Sequence, residues 1–293
     1  MRALNADLHC HSTVSDGLMA PAEVVRRAHA NGVELLALTD HDETGGLAEA
    51  RAMAIELGVP FVNGVEISIS WGDDQTVHII GLGIDPENAE LLAGLQGVRS
   101  GRDSRAMRMA AELDKAGIHN AYEGALKFVG NPALVSRSHF ARFIVESGHA
   151  KDVKSVFDYW LAKGKPGYVE HTWATLKDAV TWIVGAGGVA VIAHPGRYRL
   201  TTNQRRTLFT EFKTLGGQGI EVLSGSHHDD EVREYARIAS EYGFLASRAS
   251  DFHGVGESRV DLGKLPDLPE QLTPVWTVLT PVAGSELRQT LAQ

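Results

Sequence analysis

Apolar residues fall in short unbroken runs separated by amphipathic stretches, and several runs end in polar residues. Leu4 to His11 reads as a strand with Asp7, His9 and His11 at alternate positions on one face and Cys10 on the other. A helix is predicted from Ala20 to Asn31, with Pro21 suited to its first turn and Gly32 to its end. The run beginning at Leu35 and closing in Thr39-Asp40-His41 has the continuous hydrophobicity of a strand buried on both faces. A helix from Gly46 to Leu57 follows, then strands Phe61 to Glu66 and Thr76 to Gly83, the second carrying His78. From about 88 to 172 the pattern turns helical, with several arginines and a turn-rich Lys163 to Gly167 stretch. Alternation resumes with Leu176 to Gly185, Gly188 to His194, Gly219 to Leu223, a helix Asp230 to Tyr242 and Phe244 to His253, and Val275 to Leu279 is expected to add a last strand. Alternating strands and helices favour a parallel sheet, open or closed into a barrel, whose strand ends carry the polar residues.

The length of 293 residues fits one large barrel-like domain or a domain with an insertion, and 43% apolar content excludes disorder. A net charge of −9 argues against a broad grip on duplex DNA while leaving room for a local cationic site. Cys10 is the only cysteine, so no intrachain disulfide forms, and its facing predicts a packing role. The start lacks a signal-peptide core and no run is long enough to span a membrane, so a soluble cytoplasmic protein is expected.

The candidate metal ligands are His9, His11, Asp16, Asp40, His41, Glu66, His78, His194, Asp251 and His253. Imidazole and carboxylate together suit zinc, manganese or iron. Taken singly, each fragment has a bland reading: a surface strand for the two N-terminal histidines, a helix cap at Asp40, a strand exit at His194-Pro195 and a turn at Asp251-Phe252-His253.

Taken in order, Asp7-Leu8-His9-Cys10-His11-Ser12 with Ser15-Asp16-Gly17, Thr39-Asp40-His41, Gly64-Val65-Glu66, Ala193-His194-Pro195 and Ser250-Asp251-Phe252-His253 resemble the PHP (polymerase and histidinol phosphatase) family. The resemblance implies an α/β fold, a distorted seven-stranded (β/α) barrel of PHP type with a helical insertion domain over its C-terminal face. The barrel would be built from residues 1–97 and 173–293 and the substrate-capping insertion from 98–172. It also implies three divalent ions. His9, His11, Glu66 and Asp251 would hold one, and Asp16, His41 and His253 a second. Glu66 would bridge to a third, completed by His78 and His194. Asp16 is a hard ligand that favours manganese, with zinc or iron as alternatives. Asp7 is expected to orient a ligand histidine, and Asp40 to stand behind the ligands. Such a cluster leaves a net charge of roughly +2 at the mouth. It activates water for direct attack on phosphorus, so phosphoester hydrolysis without a covalent enzyme intermediate is expected.

Arg99, Arg102, Arg105 and Arg108 recur every three residues, and on a single helix Arg99 and Arg102 would face inward, Arg105 the edge and Arg108 solvent. Inward arginines need an anion, either a phosphate or a carboxylate such as Glu112 or Asp114. Together with Ser136-Arg137-Ser138-His139-Phe140-Ala141-Arg142, this segment is similar to the family's nucleotide phosphoesterases, which remove the 3′-phosphate from nucleoside 3′,5′-bisphosphates and shorten small RNAs from the 5′ end. Arg102, Arg105 and Arg137 are therefore expected to bind substrate, with Arg102 and Arg105 on the 5′-phosphate. Arg197 is either a phosphate clamp or a loop charge, and helix surface is expected for His139. His227 and His228 precede a helix that Asp229 or Asp230 would cap. Trp173 either stacks on a base or packs the insertion, and Arg248 has no evident role. The competing readings are a histidinol phosphate phosphatase, which would need an acidic contact for its ammonium groups, and a non-catalytic metal-binding PHP module.

Overall fold

The computed structural model describes residues 4–72 and 75–282; residues 1–3, 73–74 and 283–293 of the expected barrel segments lie outside it. Seven strands form one sheet in chain order: β1 (Ala6–Asp7), β2 (Leu35–Leu38), β3 (Phe61–Trp71), β4 (Gln75–Leu82), β5 (Val189–Ile192), β6 (Gly219–Ser224) and β7 (Leu245–Ala249). The last strand returns to the first. Leu8 N–H donates to Arg248 O at 3.1 Å, Asp251 N–H to His9 O at 2.9 Å and His11 N–H to Phe252 O at 2.8 Å, so the sheet nearly closes into a barrel.

Strand direction departs from the parallel expectation at one place. β4 runs antiparallel to both β3 and β5, because only a few residues separate Trp71 from Gln75, too few for a crossover helix. Val275–Val278 is a 3₁₀ turn rather than a strand, and with Leu279 it plugs an inner apolar cluster with Leu35, Val62, Ile80 and Val191. A separate outer cluster takes the alternate positions Leu36, Leu38, Val65 and Ile67 and joins them to the surrounding helices. Strand β2 is thus buried on both faces, as its unbroken hydrophobicity requires.

The helices are α1 (Pro21–Ala30), α2 (Leu47–Leu57), α3 (Ala89–Ser100), α4 (Arg102–Lys115), α5 (Ala121–Leu126), α6 (Arg137–Glu146), α7 (Val153–Val156), α8 (Leu176–Gly185), α9 (Thr202–Thr214) and α10 (Asp229–Tyr242). Helix α9 has no counterpart in the sequence reading, and its Leu208, Phe209 and Phe212 supply the buried face. Helix α10 begins after His228 at the cap position, not after Asp229 or Asp230. A third apolar cluster, built on Met109, Leu113, Phe140, Ile144 and Leu161, packs helices α4 to α7 against one another. The arginine series does not lie on one helix: the chain breaks at Gly101, where a Cβ would come within 2.3 Å of His171. Among the described residues no helix is long and apolar enough to cross a membrane.

Arg248, fully buried, acquires a role here. It donates to Asn5 Oδ1 at 2.9 Å, to Pro266 O at 2.7 Å and also to Ala6 O and Leu265 O, fastening β7 to the start of β1 and to the C-terminal loop.

Candidate metal centre

Side chains from β3, β4 and the loops that follow β1, β2, β5 and β7 converge on Glu66, which is fully buried at the centre. Its Oε1 lies 2.8 Å from His78 Nδ1 and 3.0 Å from His194 Nε2. Its Oε2 lies 2.8 Å from His41 Nδ1 and 3.3 Å from both His9 Nε2 and His11 Nε2. Asp251 Oδ1 approaches His9 Nε2 at 3.3 Å and His11 Nε2 at 3.2 Å, and Asp16 Oδ1 approaches His253 Nε2 at 3.4 Å and His41 Nε2 at 3.8 Å. All nine expected ligands therefore meet in one place.

Whether these residues fit metal ions is answered by their unused atoms. Asp16 Oδ1, Glu66 Oε2, Asp251 Oδ1 and His41 Nδ1 are buried and make no hydrogen bond, although each has polar neighbours. Buried polar atoms rarely go unsatisfied, and four in one cluster mark places for cations. Potential ligand atoms lie within 4.8 Å of one another in four overlapping groups. One joins His11, Asp16, His41 and His253, another His9, His11 and Asp251, a third His9, Glu66 and His194, and a fourth His41, Glu66 and His78. The donor set of imidazoles and carboxylates suits a divalent first-row ion.

Charge in the cluster is mutually stabilised. Burial alone would raise the Glu66 carboxyl, but His41, His78 and His9 hold it well below the usual range. Asp251 is likewise held low against burial by Arg197, His9 and His253. Burial and the neighbouring His253 and His41 push His11 down to about 3, and burial with Arg197 pushes His194 to about 3, so both rings are neutral at physiological pH, the form in which imidazole can bind a metal ion. Backbone strain collects at the same place: Asp42, His194 and Asp251 have φ of 51°, 24° and 53°, a region non-glycine residues seldom adopt.

The residues behind the ligands differ in part from expectation. Asp7 does not touch a ligand histidine. Ala6 and Leu8 pack in the inner cluster while Cys10 packs in the outer one, so strand alternation breaks after β1 and Asp7 faces away from His9 and His11. Its carboxylate instead accepts from Ser250 N–H and Gly263 N–H, both at 2.8 Å, fixing the backbone next to Asp251. Asp40 accepts from Ser12 N–H at 2.8 Å, Ser12 Oγ at 2.7 Å and Ser15 Oγ at 2.6 Å, and Ser15 Oγ lies 3.4 Å from His11 Nδ1.

The group that does orient a ligand histidine is Glu221 on β6. Its Oε1 is 2.7 Å from His9 Nδ1, and its Oε2 accepts from His194 N–H at 2.7 Å. A lone acid inside the apolar run Gly219-Ile220-Glu221-Val222-Leu223 was the signal for it. Arg142, which closes the stretch Ser136 to Arg142, had no role assigned to it from the sequence. Buried on α6, it grips Glu257 with two bonds of 2.8 Å and donates to Asp16 O at 2.5 Å. Cys10 donates its thiol to Ala37 O at 3.2 Å, which matches its packing role.

Above the cluster lies a cavity of about 190 Å³ walled by the ligands on one side and by Arg102, Arg105, Arg137, Phe157, Trp173 and Arg197 on others. Arg102 pairs with Asp42 and lies 3.4 Å from Ser68 Oγ, so its carboxylate partner is neither Glu112 nor Asp114, which bind Lys115 and His119. Arg99, on α3, donates to Asp42 O at 2.6 Å. Arg105 and Arg137 line the cavity with no carboxylate partner among the described residues. Burial, with the nearby Arg137 and Arg102, pushes Arg105 down to about 9. Trp173 receives the guanidinium groups of Arg102 and Arg105 at 4.8 and 5.2 Å from its ring centre and so buttresses them. Arg197 reaches Asp251, which places it in the cavity wall.

One histidine expectation changes. His139 is buried rather than on the helix surface, accepting from Ser136 N–H at 3.0 Å. His227 hydrogen-bonds to Val222 O at 3.0 Å and stacks on Tyr235, away from the ligand cluster.

A nearly closed seven-stranded barrel with this ligand cluster at its mouth defines a divalent-metal-dependent hydrolase, and the PHP domain family matches residues 7–245; the chain belongs to that family. A 3′,5′-nucleoside bisphosphate phosphatase from Chromobacterium violaceum is 54% identical over 275 residues, covering 94% of this chain and 96% of that protein. A 5′-3′ exoribonuclease from Haemophilus influenzae is 41% identical over 270 residues, covering 92% and 97%. The solved structure of a Chromobacterium violaceum amidohydrolase with bound sulfate superposes with a TM-score of 0.90 at 54% identity, covering 93% of this chain and 94% of that one.

Proposed function

We propose that the protein hydrolyses the 3′-phosphate of nucleoside 3′,5′-bisphosphates to give nucleoside 5′-monophosphates, and that it also shortens small 5′-phosphorylated RNAs from the 5′ end. The observation that carries this reading is a single cavity with two walls suited to anions: the Glu66 cluster on one side, and on the other Arg105 and Arg137, which have no carboxylate partner among the described residues. A substrate with one phosphate would satisfy only one wall. The bisphosphate phosphatase from Chromobacterium violaceum and the exoribonuclease from Haemophilus influenzae support the same substrate class.

Three manganese ions are the proposed cofactors. His9, His11, Glu66 and Asp251 would hold one, Asp16, His41 and His253 the second, and Glu66, His78 and His194 the third. Bound there, the ions supply Lewis-acid charge and activated water at neutral pH. The protein's own part is positional. Glu221 keeps Nδ1 of His9 engaged so that its Nε2 faces the cluster, and Arg142 fixes the main chain of Asp16. Arg105 and Arg137 hold the 5′-phosphate through charge-assisted hydrogen bonds, with Arg102 beside them neutralised in part by Asp42. Residues 98–172, which carry those arginines, act as a cap that measures the separation of the two phosphates. The barrel, residues 1–97 and 173–293, carries the chemistry.

The test is phosphate release by the Mn-loaded protein from adenosine 3′,5′-bisphosphate beside 3′-AMP, 5′-AMP and histidinol phosphate. Preferred turnover of the bisphosphate with 5′-AMP as product is expected, and the released phosphate should carry label from heavy-oxygen water. Preference for histidinol phosphate, or unlabelled phosphate, refutes the proposal.

A further inference from the structure

A second cavity, of about 250 Å³, opens beside the first and shares Arg105, Trp173 and Thr76 with it. None of the nine clustered ligands lines it, so it extends the arginine side of the site and not the hydrolytic side. Its own wall adds Arg108, Tyr168, Ser70 and His171. Arg108 is held only by the main-chain oxygen of Glu170 at 3.4 Å and has no carboxylate partner among the described residues. Among the described residues Glu170 is the one acid in the wall, against two guanidinium groups. Burial, with the nearby Arg105, Arg102 and Arg108, pushes His171 down to about 4. The pocket owes its shape to the break between α3 and α4, because a side chain at Gly101 would displace His171.

We infer that this second cavity takes a further phosphate attached to the substrate's 5′-phosphate, so that nucleoside 3′-phosphates bearing a 5′-diphosphate are also bound. The inference rests on the reading above, in which Arg105 meets the 5′-phosphate. Arg105 forms the wall common to both cavities, so a group joined to that phosphate enters the second cavity without leaving the first, and Arg108 meets it there. Hydroxyls of Ser70 and Tyr168 supply neutral donors that a polyanion accepts without further charge.

The experiment is calorimetric titration of the Mn-loaded protein with adenosine 5′-monophosphate and adenosine 5′-diphosphate at equal free Mn²⁺, for the wild type and Arg108→Ala. The diphosphate should bind about tenfold more tightly than the monophosphate, the value of one added charge-assisted hydrogen bond. Arg108→Ala should bring that ratio to about one while leaving monophosphate affinity within about twofold. Monophosphate binding with no gain from the second phosphate, or a gain that survives Arg108→Ala, overturns this inference alone. Failure of both nucleotides to bind overturns it together with the reading on which it rests.

Discussion

Glu221→Gln tests how the ligand cluster is held. The two carboxylate oxygens accept from two different donors, the ring of His9 at 2.7 Å and the main-chain N–H of His194 at 2.7 Å. Glutamine has the same shape but only one oxygen, so it can accept from one of the two and must present its NH₂ to the other. If the oxygen stays on His194 N–H, the NH₂ faces His9 Nδ1, which then has to accept. The ring proton moves to Nε2, the atom that faces Glu66 and Asp251, and His9 no longer offers a lone pair. If the amide flips, a buried N–H of His194 goes unsatisfied, at a cost of about 1–3 kcal/mol. Loss of an orienting partner of this kind lowers metal affinity by about 10- to 100-fold, or roughly 1.4 to 2.7 kcal/mol. The assay is metal content by elemental analysis after dialysis against stepped free Mn²⁺, with activity followed in parallel. Half-loading should shift upward by at least tenfold for the most weakly held ion, and activity should return at saturating Mn²⁺. Half-loading within about twofold of the wild type would refute the reasoning.

Arg105→Ala should raise KM for adenosine 3′,5′-bisphosphate by about 10- to 100-fold and leave use of 3′-AMP nearly unchanged, since only the former meets the arginine wall; an equal loss on both substrates counts against the phosphate ruler. Chelation should lower the melting temperature and Mn²⁺ should restore it, because ions bind the assembled cluster and not the unfolded chain; calorimetry with and without chelator checks this. His139, pushed down to about 4 by burial, is neutral in the fold, whereas the unfolded chain protonates near 6.5. Its folded value is the lower one, so stability is lost as pH falls from about 6.5 towards 4, by about 2 kcal/mol between pH 7 and 5. Urea denaturation at those two pH values should show a loss about 2 kcal/mol smaller in His139→Asn than in the wild type.

Much of the site was legible in the chain because ligands borne by strands and strand ends have local signatures. Two histidines at alternate positions, Asp-His after an apolar run and His-Pro at a strand exit keep their spacing whatever surrounds them. The family match spans residues 7–245, which contain these three fragments. What failed were inferences that extended a local period too far. Alternation carried through Leu8 put Asp7 with the ligands, but β1 ends at Asp7 and the backbone turns. A helical period carried through Gly101 joined Arg99 to Arg102, but the chain breaks there and places Arg99 and Arg102 on either side of Asp42.

The sequence by itself determined the nine candidate ligands, the barrel class and the presence of an arginine-bearing helical segment, because each depends on residue type and short-range periodicity. Only the tertiary structure decided the antiparallel course of β4, the partnership of Arg102 with Asp42, and the two cavities that meet at Arg105. The same holds for Glu221, which lies 212 residues from the histidine it orients. Contacts of that kind arise where the barrel closes and the helical segment folds back, and no local pattern in the chain encodes which distant side chain will arrive there.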